Sequence, residues 1–158
     1  MKTALNLLFF ALFTTMVFAQ ENLNNQTKLV GQVILPYGNA SLNKTEVSKQ
    51  NSHYTLVFNN QMERSKSDVR KVDFELTKAQ FDAFFDQIKQ LFKTGNNSEY
   101  TFGNGLRVQL TMLTPTDVEF MFMNNGLPQG AFSISATGLH LLFGKAWNKN
   151  TWKTFINS

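Results

Sequence analysis

The 158-residue sequence predicts an α+β domain, an antiparallel sheet of about five to six strands with a long amphipathic helix (77–93) and a short second helix (136–146) packed on one face. Three observations carry that expectation. Several stretches alternate apolar and polar residues with a period of two, the pattern of half-buried strands. One stretch places its apolar residues at three- and four-residue spacing behind a capping sequence, as a helix that covers a sheet does. The chain has no cysteine, so a hydrophobic core rather than disulfides must hold it.

The order of elements begins with a leader. Met1, Lys2 and Thr3 precede an apolar run from Ala4 to Phe18, and Val17-Phe18-Ala19 ends the run with small residues where a signal peptidase cuts. The run is shorter than the roughly 20 residues a membrane span needs. Residues 1–19 therefore read as a cleaved signal peptide, and the processed chain is expected to be secreted or periplasmic, with no span. The lack of cysteine also removes any site for lipid attachment after the leader. Residues 20–51 read as a polar lead-in with one short strand at 29–35, residues 52–146 as the globular domain, and 147–158 as a basic aromatic tail.

Within the domain, Tyr54, Leu56 and Phe58 alternate with polar neighbours, as do Val72, Phe74 and Leu76. Pairing Phe58 with Val72, Leu56 with Phe74 and Tyr54 with Leu76 gathers all six on one face of a hairpin. Thr77 and Gln80 then form a capping box, with Leu76 and Phe81 as its hydrophobic staple. Phe81, Phe84, Phe85, Ile88, Leu91 and Phe92 make one helical stripe, and Gly95 stops the helix. Such a stripe reads as core rather than as a cofactor site.

Further on, Tyr100 to Phe102 reads as a short strand, and the Gly103-Asn104-Gly105 turn leads into a long strand, Leu106 to Thr114. The apolar faces of that strand and of Val118, Phe120 and Phe122 coincide if Met112 pairs with Val118, which demands a three-residue hairpin loop. Asn124 to Gly130 reads as a loop, Phe132 and Ile134 as a strand, and Leu139, Leu142, Phe143 and Ala146 as the second helix. An echo runs through the chain: Phe74-Glu75-Leu76-Thr77 followed by Phe81, Phe84 and Phe85 aligns without gaps on Phe132-Ser133-Ile134-Ser135 followed by Leu139, Leu142 and Phe143.

Chemistry-bearing residues are sparse. His53 and His140 are the two histidines, and no spacing of zinc type exists. No nucleophile elbow, phosphate loop or dinucleotide fingerprint occurs, so no cofactor or metal is expected. Asp73 with Glu75, and Asp117 with Glu119, are close pairs on the outward faces of strands and read as solvated charge.

Two surfaces stand out. The outward face of the third and fourth long strands places Arg107 opposite Met123, Gln109 opposite Met121 and Thr111 opposite Glu119, a mixed face able to receive a peptide or apolar ligand. The tail interleaves Lys145, Trp147, Lys149, Trp152 and Lys153, and Glu119 is the last acidic residue before it. The positive excess of the processed chain thus lies in the tail, which suits an anionic polysaccharide, a membrane surface or a protein partner rather than nucleic acid. The leading expectation is an exported, non-enzymatic binding module. The rivals are a small hydrolase or isomerase using His140 with a carboxylate, and a secreted inhibitor or immunity-type partner protein.

Overall fold

The computed structural model describes residues 26–62 and 68–145. The leader and tail residues Trp147, Lys149, Trp152 and Lys153 lie outside them. Two four-stranded antiparallel sheets form, rather than one sheet of five or six strands. The first has the order β1 (Lys28–Leu35), β2 (Gly38–Glu46), β3 (Asn51–Asn59), β4 (Val69–Thr77), and helix α1 (Lys78–Thr94) follows it. The second has β5 (Ser98–Thr101), β6 (Arg107–Thr114), β7 (Asp117–Asn124), β8 (Leu127–Ser135), followed by α2 (Ala136–Leu142). Each half is thus a four-strand meander ending in a helix, and the aligned segments of the sequence echo are β4 into α1 and β8 into α2.

The helices do not share one face of one sheet. α1 packs against β4 and β6, whereas α2 reaches back to β1 and β2 as well as β8. Period-two alternation reveals that a strand has one buried face but not which layer buries it, so the second sheet escapes a reading of pattern alone. The inner faces and both helices share one core. Phe58 on β3 lies 5.6 Å from Phe122 and 5.0 Å from Phe132 of the second sheet, and Phe74 stacks on Phe102 at 4.4 Å.

α1 forms as its sequence requires. Thr77 Oγ1 accepts from the Gln80 amide at 3.1 Å and the Gln80 side chain accepts from the Thr77 amide at 2.9 Å, closing the capping box. All six residues of the stripe are buried, and Gly95 ends the helix in the left-handed region. α2 stops at Leu142, earlier than residue 146, because Phe143 turns into the core as C-cap and Gly144 takes a positive φ.

One strand register, one turn and one strand start differ from the sequence reading. In β3–β4, Tyr54 faces Phe74, Leu56 faces Val72 and Ser52 faces Leu76, a shift of two residues that keeps every apolar side chain inside. The pattern fixes only the parity of a register. The choice falls to Asn60, whose amide donates to the Asp68 carbonyl at 2.7 Å and whose Nδ2 donates to the Asp68 carboxylate at 2.7 Å. In β6–β7, Met112 pairs with Val118 as the faces demand, but Thr114 pairs with Asp117 across a two-residue turn, and the extra residue is absorbed as a bulge at Leu113. β8 starts at Leu127 inside the expected loop. Asn125 and Gly126, both at positive φ, make the turn by themselves, and Pro128 is tolerated because β8 is an edge strand.

Gly38–Glu46, where polarity predicts a connection, is β2. Only Ala40 and Leu42 of that strand are buried, too few for the alternation to show.

Asn60 and Gln61 also join the halves. Asn60 Oδ1 accepts from the Ala131 amide at 2.9 Å, and the Gln61 amide donates to the Ala131 carbonyl at 2.8 Å. Gln61 Oε1 accepts from the amide and hydroxyl of Ser133. Two residues of the first half thereby line the outer edge of β8. Gly31 on β1 gives the second tie, because a side chain there would strike the carbonyl oxygens of Leu141 and Leu142 on α2.

Candidate functional site

The phenylalanine-rich interior is full. A void at its centre, among Leu42, Leu56, Phe84, Phe120 and their neighbours, holds about 10 Å³, no more than one water needs. Ligand contacts must therefore be sought on the outside.

The register of β3 on β4 builds one such place. His53 lies opposite Glu75 and beside Asp73 on the outward face. His53 Nε2 stands 3.2 Å from Asp73 Oδ1, and Nδ1 stands 3.9 Å from Glu75 Oε1. Thr55 donates its hydroxyl to Asp73 Oδ1 at 2.6 Å, and Lys71 Nζ meets Oδ2 at 3.1 Å. Partial burial pushes the Asp73 carboxyl up, but the bonds from Thr55, Lys71 and His53 outweigh it and hold the group below the ordinary carboxylate range. Around this cluster lies an open depression of about 610 Å³, which also draws Asn51 from β3, Gln80 from the first turn of α1 and Asn104 from the β5–β6 turn. Asn104 is fixed there by donating to the Asp73 carbonyl at 2.9 Å.

Both ring nitrogens of His53 face carboxylates. A general base needs a lone pair directed at a substrate proton, and the ring nitrogens of this histidine are directed at Asp73 and Glu75 instead. No group of three or more His, Asp or Glu among the described residues is placed to hold a metal ion.

The residues singled out by sequence fall elsewhere. Arg107 lies opposite Met123, and Gln109 opposite Met121, on the outward face of β6–β7. Arg107 and Gln109 both turn toward Glu99 on β5, at 3.5 Å and 3.4 Å, and the two methionines are half-buried beside them. Lys145 pairs with Asp82 on α1, and its ammonium lies over the rings of Phe81 and Phe85 at 5.5 Å and 5.6 Å. It pins the end of the domain to α1. His140 stands edge-on to Phe85 at 5.2 Å.

The His53 cluster was hidden from sequence by two residues of register. With Tyr54 opposite Leu76, His53 would face Thr77; in the structure it faces Glu75. Asp73 and Glu75 share the outward face in either case, so the missing signal was the Asn60–Asp68 pairing that sets the alignment.

No helix among the described residues is long and apolar enough to cross a membrane. No protein family, curated protein or solved structure matches the chain.

Proposed function

We propose that the chain is an exported, non-enzymatic binding module whose first contact surface is the depression around His53, Asp73 and Glu75. The observation that supports this reading is the contrast between a filled interior and a wide polar hollow where side chains from β3, β4, α1 and the β5–β6 turn converge. Export rests on the leader. Intact mass of the exported protein is expected to show Gln20 as its first residue.

The charges assign partners to surfaces. Asp73 and Glu75, with Asn51, Gln80 and Asn104 around them, give the depression a polar, acceptor-rich lining that suits a neutral, hydroxyl-rich or cationic ligand. An anionic polysaccharide or membrane surface falls instead to the basic tail, Lys149 and Lys153 with Trp147 and Trp152, since Lys145 is engaged by Asp82. The face of Arg107, Met121 and Met123 is the third candidate surface.

Retention of the processed chain on immobilised neutral and acidic polysaccharides and on anionic vesicles separates them. Asn104→Ala with Glu75→Gln should weaken neutral retention about tenfold, and Lys149→Gln with Lys153→Gln should abolish only anionic retention. If the depression variant binds every surface as the parent does, the depression is not the contact site. Met121→Lys then tests the methionine face.

A further inference from the structure

Two sheets have four outer strands, and three of these are guarded among the described residues. Asn60 and Gln61 line β8, Asn104 reaches the Asp73 carbonyl on β4, and Gln87 donates to the Glu99 carbonyl on β5. On β1, α2 lies against the inner face and Gly144 approaches the Val30 carbonyl, but no side chain among the described residues reaches the outer edge at Gln32 and Ile34. Its two-residue turn makes Leu35 and Gly38 the closing pair, so by strand alternation the amide groups of Ile34 and Gln32 point away from β2. Ile34 is 85% exposed and Leu29 60%. An exposed apolar edge with outward amides is a template for pairing with another strand.

The charges at the two ends of β1 identify that strand. β1 carries one charge, Lys28, at its start, and the nearby Glu46 is held by Lys44. Alongside its other end, from Val33 to Pro36, runs a groove of about 280 Å³ whose far wall is Ser133, Ile134, Ser135 and Asp117. Asp117 Oδ2 takes the hydroxyls of Thr114 and Thr116, but no cation among the described residues reaches the carboxylate. A strand with a cation at its start and a groove bearing Asp117 beside its end is complementary to its own reverse.

We infer that β1 is the contact strand of a two-fold symmetric homodimer, in which the β1 strands of two copies pair antiparallel and Lys28 of each copy meets Asp117 of the other. Antiparallel pairing with Gln32 on Gln32 sets Lys28 opposite Pro36, at the mouth of the groove, and does so twice because the operation is two-fold. The two lysines then stand about a strand length apart, roughly 27 Å, and do not repel. Ile34 is covered, and two four-stranded sheets become one of eight.

Sedimentation velocity of the chain as purified after export tests this, with the melting temperature of each variant as a folding control. The parent should show a monomer–dimer equilibrium at about 10–100 µM, as a small interface gives. Ile34→Lys, at an exposed position, should leave it monomeric. Lys28→Asp and Asp117→Lys should each weaken association about tenfold or more, and the two together should restore it. Asp117→Asn keeps an oxygen for Thr114 and Thr116 and should still weaken the dimer. A parent that stays monomeric throughout overturns the inference, as does a dimer indifferent to Ile34→Lys or a double charge reversal no better than the singles.

Discussion

Asn60 shows how much one buried polar side chain can decide. It sets the β3–β4 register through Asp68 and reaches the Ala131 amide of the other half, while only 2% exposed. Removing it strands a buried N–H, so Asn60→Ala should cost about 1–3 kcal/mol in chemical denaturation, whereas Met62→Ala, at a half-exposed neighbour, should change little. Asp73 supplies a pH signature. Its folded pKa is depressed, so its contribution to stability is present above the unfolded value of 3.8 and is lost as pH falls through the lower folded value. Urea midpoints should therefore drop on acidification below about pH 4, and the drop should be smaller in Asp73→Asn. At this scale the sequence was least legible. The components of the His53 cluster were visible as an outward Asp73/Glu75 pair and a histidine, but their meeting depends on a pairing that hydrophobic pattern leaves open by multiples of two residues.

Elements were legible where several local signals agreed. α1 has the capping box, the staple, the stripe and the stop together, and all are in place. Its packing should dominate the stability, so Phe84→Ala is expected to cost about 3–5 kcal/mol and Thr77→Ala about 1 kcal/mol. A neutral Phe84→Ala in the same denaturation series would contradict the buried position seen here. β6 and β7 were equally legible, since Met112 and Val118 had one alignment that kept both faces apolar, and the bulge at Leu113 reconciles it with a shorter turn. β2 was not legible because its inward residues, Ala40 and Leu42, are too few against Asn39, Ser41, Asn43 and Lys44. β8 was masked at its start by Pro128, which excludes a central strand but not an edge one.

At the scale of the whole molecule, the halves are built alike but do not stand apart. α2 of the second half lies on β1 and β2 of the first, Asn60 and Gln61 of the first half line β8 of the second, and aromatic rings from both meet in one core. Unfolding should accordingly be a single cooperative transition. Sequence could show the repeated strand–cap–helix order but not this exchange, which follows from long-range packing. The close approach of Gly144 to the Val30 carbonyl brings the two ends of the described fold side by side, while the 95–97 connection between α1 and β5 is exposed, with Asn97 tied to the Met112 amide just beyond Asn96. The chain can therefore be re-ordered. A circular permutant that links Lys145 to Lys28 through a short glycine-serine bridge and opens at Asn96 should keep the far-ultraviolet circular dichroism and the single transition of the parent, because neither cut nor join touches a core residue.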